Sequence, residues 1–253
     1  MLAAERHDAI VEQLNRDGSV TVNELSEKFG VTKDSIRKDL TQLEKKGLLR
    51  KTYGGAMKPR TVATEFYISD QKVKFTEAKR YIAKKAAELI REGDTIFLDI
   101  STSNVELARI LAESGKHITL VTNCIDVIRV VPGHSPIKLI ALGGDVIEAR
   151  DGFVGALTNE QLRCYQFDIS FLGVVGVDLE KNRVATYTPD DGITKKTAME
   201  SSSKTYLMLE MRKLLEDCTY WYSPISSFTG AILDQEPDEQ VKNWLEKYEV
   251  EWL

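Results

Sequence analysis

Two sets of side chains in this 253-residue chain have types and spacings that could do chemistry. The first is cationic and hydroxyl-bearing. Lys33, Asp34, Ser35, Arg37, Lys38 and Thr41 crowd into one short segment, where Arg and Lys can address guanine edges or phosphates and Ser35 and Thr41 suit phosphate oxygens. The second set recurs after short apolar runs: Asp99 with Ser101, Thr102 and Ser103, then Thr122 and Asn123, then Gly143 and Gly144, then Gly152 and Gly155. Hydroxyls and backbone amides at a helix N-terminus, with glycines allowing close approach, suit a phosphate or another small anion.

The first set needs a helix with one docking face. Over Thr32 to Glu44, Ile36, Leu40 and Leu43 fall at i, i+4 and i+7, leaving Asp34, Lys38 and Thr41 on the opposite face. Upstream, Glu5 to Arg16 reads as a helix stopped at Asp17-Gly18. Thr21-Val22-Asn23-Glu24 is a capping box with Val20 and Leu25 as its staple, so a second helix is predicted from Val22 to Phe29. Gly30 ends it, and Thr32 caps the third, with Val31 and Ile36 as a second staple. Helix, tight turn and helix is the arrangement that lays its second helix in a DNA major groove, although any amphipathic helical hairpin also has a charged outer face. The run Leu48 to Gly55 is basic but alternates too little to predict a strand; after such a helix it would form a backbone-gripping wing.

The second set needs a parallel sheet. A helix is predicted from about Lys74 to Arg91, with Tyr81, Ile82, Ala86, Leu89 and Ile90 as its apolar face. Thr95 to Ile100 follows as a strand buried on both faces. Strands at His117–Thr122 and Ile137–Leu142 alternate with helices at Asn104–Ala112 and Asp126–Val131. Asp168–Val175 is a further strand, Pro189 to Gly192 a turn before a helix at Ile193–Ser203, and Thr205–Leu209 another strand. A charged helix, Gln240 to Tyr248, and a closing strand end the chain, with Trp244 and Trp252 as packing residues. Ligands of such sheets collect beyond the carboxyl ends of the strands, where the second set lies. Ser and Thr at caps and Gly in turns also serve any α/β protein, so a ligand role stays open from these residues alone.

At this point a family pattern is in view. Arg6, Ile10, Val20 to Leu25, Phe29-Gly30-Val31-Thr32, Ser35 to Leu40, Leu43-Glu44, Gly47-Leu48 and Arg50 to Ala56 resemble the winged helix-turn-helix of the DeoR family of bacterial transcription regulators. The resemblance implies DNA contacts from Thr21, Thr32, Lys33, Asp34, Ser35, Arg37, Lys38 and Thr41, and from Arg50, Lys51 and Tyr53 in the wing. Thr32, Ser35 and Lys38 stand where the family usually has Ser, Thr and Arg, and Lys38 lacks Arg's bidentate fork. Residues 75 to 235 resemble the DeoR-type sensor domain, which is similar in fold to ribose 5-phosphate isomerase and commonly binds phosphorylated sugars. That resemblance adds Asp191 and Lys213 to the effector set of Asp99, Ser101, Thr102, Ser103, Thr122, Asn123, Gly143, Gly144 and Gly152. It departs at Glu210-Met211-Arg212-Lys213, where the family has Asp-x-Ser-Lys.

Composition fits this reading. A hydrophobic fraction of 42% and a charged fraction of 29% are ordinary for a folded globular chain. Net charge is -5, yet residues 1 to 60 hold 12 Lys/Arg against 9 Asp/Glu and the remainder 22 against 30: a basic head on an acidic body. Three distant cysteines without CxxC spacing predict a reducing, cytoplasmic setting, and no apolar stretch approaches a membrane span. The three histidines have no metal-ligand spacing. The expected protein is an α/β chain with a winged helix-turn-helix at 1–57, a linker at 58–74, and an α/β effector-binding and oligomerising domain at 75–253. It would bind a double-stranded DNA operator as a homodimer or larger homo-oligomer, repress sugar or related genes, answer to a phosphorylated sugar or similar anion, and use no cofactor. Alternatives are an isomerase-like enzyme with a DNA-binding head, in which Asp99, Asp191 and Lys213 converge, and a DNA-binding protein whose second domain only oligomerises.

Overall fold

A computed structural model describes residues 3–17, 19–46, 48–52, 54–57, 76–147, 151–215 and 220–253. The chain divides into two compact units, Met1–Thr61 and Val62–Leu253. The expected linker at 58–74 lies outside the described residues.

In the first unit, helices α1 (Ala3–Asp17), α2 (Val22–Phe29) and α3 (Lys33–Lys45) accompany three short antiparallel strands. These are β1 (Ser19–Thr21), β2 (Arg50–Thr52) and β3 (Gly55–Met57), in the order β1-β3-β2. The capping box forms as its spacing requires: Glu24 N–H donates to Thr21 Oγ1, and Thr21 N–H to Glu24 Oε2, both at 3.2 Å. Gly30 ends α2 at φ 62°, a left-handed conformation that costs glycine little, and Thr32 caps α3. The basic ribbon does form strands, despite its weak alternation. Gly55 makes this possible, because a Cβ there would lie 1.9 Å from the Val20 carbonyl oxygen of the neighbouring strand. Ile10, Leu14, Val20, Leu25, Ile36, Leu40, Leu43 and Leu49 make the core.

One member of α3 faces inward with a charge. Asp39 takes Arg6 Nε at 2.7 Å and Arg6 Nη2 at 3.1 Å, and its Oδ1 lies 3.0 Å from His7 Nε2. The pair buries most of both side chains and ties α3 to α1. Burial acts to raise the Asp39 carboxyl, but the hydrogen bonds from Arg6 and His7 outweigh it and hold its pKa below the ordinary 3.8.

In the second unit, α4 (Thr76–Leu89) leads into seven all-parallel strands: β4 (Thr95–Leu98), β5 (Thr119–Thr122), β6 (Lys138–Ala141), β9 (Phe167–Gly173), β12 (Ser202–Leu209), β14 (Gly230–Leu233) and β15 (Glu251–Trp252). Their order is β15-β14-β12-β9-β4-β5-β6. The chain winds outward from β4 in one direction and from β9 in the other, so the topological switch lies between β4 and β9, where open α/β sheets place ligands. Helices α5 (Thr102–Glu113), α6 (Ile125–Val130), α7 (Ala156–Arg163), α8 (Pro189–Glu200) and α9 (Glu239–Lys247) accompany the sheet. Two smaller sheets were not legible in the sequence: a hairpin of β7 (Asp145–Val146) with β8 (Phe153–Val154), and an antiparallel group of β10 (Gly176–Asp178), β11 (Arg183–Thr186) and β13 (Tyr220–Ser223). β14, too, is not marked by the sequence pattern.

Four expectations need correction. Pro189 to Gly192 is not a turn before a helix but the first turn of α8: Thr188 caps it and Pro189 occupies a position where no N–H is required. The helix ends at Glu200, and β12 begins at Ser202 rather than Thr205. Tyr81 leaves the apolar face of α4: the buried set is Lys79, Ile82, Ala83 and Ala86, while the Tyr81 ring is exposed under the Lys85 ammonium at 4.7 Å. Trp244 stacks on Tyr248 as a packing residue, whereas Trp252 lies on the exposed edge strand.

The Asp39 cluster generates a prediction. Asp39→Ala leaves the buried Arg6 guanidinium without its counter-ion and should destabilise the first unit by about 3 kcal/mol, read by amide hydrogen exchange in α1 and α3. Because the folded-state pKa is depressed, the Asp39 contribution is present above pH 3.8 and is lost as pH falls through the lower folded value.

Candidate DNA-binding surface and effector pocket

On α3, Lys33, Asp34, Arg37 and Lys38 are exposed with Thr32, and Ser35 and Thr41 are half-buried beside them. Arg37 Nη1 is held by Asp34 Oδ1 at 2.7 Å, which aligns the guanidinium along the helix. The wing strand is joined to the same face: Lys51 N–H donates to Glu44 Oε1, and Lys51 Nζ to Thr41 Oγ1, each at 2.8 Å. Thr21 serves as the cap of α2. Arg50 is in β2, and Tyr53 lies outside the described residues.

The second site is built at the switch point. Ser101 caps α5 by accepting the Asn104 amide at 3.2 Å. The first N–H groups of α5 have no partner within the helix and, with the helix dipole, favour an anion. Gly173 ends β9 so close to this cap that a Cβ on it would sit 2.2 Å from Ser101 Cβ. Beneath them Asp99 is fully buried. Its Oδ1 accepts from Asn104 Nδ2 at 2.7 Å, its Oδ2 accepts from the Gly173 amide at 2.8 Å, and Oδ2 also meets Lys195 Nζ. Lys195 is 3% exposed and lies 3.6 Å from Asp191 Oδ2, itself bonded by the Thr186 hydroxyl. Burial opposes the Lys195 ammonium, but Asp191 and Asp99 outweigh it and hold its pKa above the ordinary lysine value. The Tyr222 hydroxyl is buried without a hydrogen-bond partner among the described residues, and burial pushes its pKa up.

These groups line one pocket: Ser101, Thr102, Ser103, Gly173, Val174, Thr186, Asp191, Lys195 and Lys213. Of the effector set read from the sequence, it brings together Ser101, Thr102, Ser103, Asp191 and Lys213, with Asp99 as the buried partner of Lys195. Five residues do not line it. Thr122 donates its hydroxyl to Leu98 O at 2.6 Å, and Asn123 Nδ2 donates to Phe153 O at 2.7 Å. Gly143 accepts from the Thr158 hydroxyl through its carbonyl, Gly144 packs against Thr158 and Val154, and Gly152 packs against Ile100. Lys195, Asn104 and Thr186 had no role in the sequence reading. The one available signal was Lys195 standing four residues after Asp191, a spacing that faces both to one side only once Pro189 and Asp191 are placed inside the helix.

A winged helix-turn-helix carried on one chain with a parallel α/β domain and a strand-end pocket defines a DNA-binding transcriptional regulator. Residues 6–62 match the DeoR-like helix-turn-helix domain, and residues 74–235 the DeoR C terminal sensor domain. The chain belongs to the DeoR family. It is 33% identical over 245 residues to the lactose phosphotransferase system repressor of Staphylococcus aureus strain N315, covering 94% of each chain. It is also 33% identical over 213 residues to the HTH-type transcriptional regulator YulB of Bacillus subtilis, covering 84% of this chain and 81% of that one. Among solved structures, eIF2B beta of Chaetomium thermophilum is similar at TM-score 0.50 and 14% identity over 94% of this chain and 67% of that chain, a likeness of fold alone. Ribose 5-phosphate isomerase of Methanocaldococcus jannaschii aligns over 54% of this chain and 53% of that chain at 16% identity and TM-score 0.40, too slight to bear on function.

Lys195→Met should cost about 3–5 kcal/mol of stability in urea unfolding followed by tryptophan fluorescence, since it strands two buried carboxylates. Replacing Asp99 by Asn in the same background should recover part of that loss.

Proposed function

We propose that this regulator is a cytoplasmic repressor of sugar or related genes, acting as a homodimer or larger homo-oligomer, whose hold on operator DNA is set by a phosphorylated sugar in the pocket. The observation that carries the reading is the pairing of an α5 N-terminus bearing Ser101, Thr102 and Ser103 with the Lys213 ammonium across one pocket. Hydroxyls, helix amides and a cation suit a phosphate, while Asp191 and Lys195 beside them suit sugar hydroxyls. The relatives named as lactose phosphotransferase system repressors support a sugar-linked signal.

The same geometry favours binding over turnover. A general base works best with a pKa near the operating pH, and Lys195 is instead held charged between two carboxylates. Paired helix-turn-helix heads meet DNA half-sites about one helical turn apart, so a modest change in how two heads are held releases both together.

Two measurements test this. Arg37→Ala with Lys38→Ala should weaken operator binding by at least about tenfold at fixed salt with an unchanged melting curve, as expected for lost base and phosphate contacts; unchanged affinity removes α3 from the interface. A panel of ribose 5-phosphate, fructose 6-phosphate and galactose 6-phosphate should contain a member that raises the melting temperature and shifts operator affinity, with about 2.7 kcal/mol of stabilisation at a hundredfold excess over Kd. A panel without effect on either counts against the pocket, and turnover of any member without an effect on operator binding favours the enzyme.

A further inference from the structure

The N-terminal half of α3 exposes one carboxylate among its cations, at a place where a negative charge works against DNA. Asp34 is the second residue of the helix and Arg37 the fifth, a spacing that puts the two side chains on one face. Arg37 is the single arginine of α3. Its Nη1 donates to Asp34 Oδ1 at 2.7 Å, with the side chains of Arg37 and Asp34 59% and 81% exposed. A pair this open adds little to stability, so the fold does not require it. The Arg37 Nε and Nη2 groups make no hydrogen bond among the described residues, which leaves a planar fork of donors without protein partners. The other cations of this face are held differently. Lys33 and Lys38 are exposed and make no hydrogen bond or ion pair among the described residues, while Lys51 Nζ in the wing is bonded to the Thr41 hydroxyl. A mobile ammonium is a point charge suited to phosphate, whereas a guanidinium whose plane is already set loses less freedom on meeting two acceptors.

In a helix-turn-helix the N-terminal residues of the second helix lie nearest the base edges, and guanine presents O6 and N7 there as paired acceptors. We propose that Arg37 reads a guanine in each operator half-site and that Asp34 is its positioning residue, fixing the plane of the fork before DNA is met, while Lys33 and Lys38 hold phosphates. This rests on α3 being the surface that meets DNA. Charge alone gives Asp34 the opposite role. A carboxylate on a DNA-facing helix repels phosphates, so its removal would tighten binding to every sequence alike. Removing a positioning residue instead weakens binding to the preferred sequence and spares the rest.

The test uses the full-length protein at fixed salt. A preferred sequence is selected from random duplexes long enough for two half-sites, each base pair is then replaced in turn, and affinities are read by fluorescence anisotropy. Wild type should lose about tenfold or more when one G·C pair of a half-site is replaced. Arg37→Lys, which keeps the charge and loses the fork, should cut that penalty to about threefold or less. Asp34→Ala should shrink the penalty at the same pair at least about threefold, with affinity for a scrambled duplex unchanged or raised. Asp34→Ser, which keeps a hydroxyl in the first turn without the carboxylate, should behave alike and decides the matter should Asp34→Ala melt early. Wild-type discrimination at every pair in the Asp34 variants, with or without tighter binding to all duplexes, overturns the positioning role. Loss of discrimination at a pair other than the one that Arg37→Lys affects makes Asp34 a base contact in its own right and overturns it too. If Arg37→Lys discriminates as wild type does, Arg37 reads no base and the proposal fails while α3 stays at the interface. If Arg37→Ala with Lys38→Ala binds the selected and scrambled duplexes as wild type does, α3 is not at the interface and the wider reading falls with the proposal.

Discussion

The sensor domain depends on one ion cluster, the Lys195 ammonium held between Asp99 and Asp191 below the pocket. Asp99 leaves the end of β4, Lys195 and Asp191 stand one turn apart on α8, and Gly173 and Asn104 complete the Asp99 shell from β9 and α5. Four separate elements are thereby fixed to one point at the sheet's topological switch. Burying two carboxylates and an ammonium is stabilising only when each is compensated, so the cluster forms as a whole or not at all. The result is a pocket rim of hydroxyls and helix amides whose geometry is set before any ligand arrives.

The DNA-binding unit uses the same device at smaller scale. Asp39 sits on the inner face of the recognition helix and is gripped by Arg6 and His7 from α1. The outer face of α3 can then be almost wholly polar, because its orientation is secured from behind by this pair and by Ile36, Leu40 and Leu43. Lys51 extends the arrangement to the wing by bonding Glu44 and Thr41. Packing thus secures the inner side and leaves Lys33, Asp34, Arg37 and Lys38 exposed on the outer one.

Much of this was legible in the residues. The capping box, the Gly30 stop and the i, i+4, i+7 stripe specify the helix-turn-helix through local hydrogen bonds and burial, and the run before Asp99 marks a strand buried on both faces. Asp99 and Ser101 to Ser103 follow from the rule that sheet ligands sit at strand ends. What escaped were charges placed inside: Lys195, Lys79 and Asp39 look in sequence like solvated helix residues but are buried, and for Lys195 and Asp39 long-range pairing with Asp99 and with Arg6 offsets the cost of that burial. Tyr81 departs in the opposite sense: an aromatic beside Ile82 reads as core, while the helical period directs it to solvent. Thr122, Asn123 and the glycines at 143, 144 and 152 follow the strand-end rule, yet their hydrogen bonds and close contacts are internal to the fold.

The central claim is that an anion is held between the α5 N-terminus and Lys213. It is tested most directly by calorimetric titration of pentose and hexose phosphates into wild type and Lys213→Met, with the corresponding unphosphorylated sugars as controls. The account predicts that a phosphorylated sugar binds the wild type, that its parent sugar binds far more weakly, and that Lys213→Met loses at least about tenfold in affinity, as a charge-assisted hydrogen bond implies. Equal affinity of the two proteins for the phosphorylated sugar, or equal affinity of the wild type for a sugar with and without its phosphate, would contradict it.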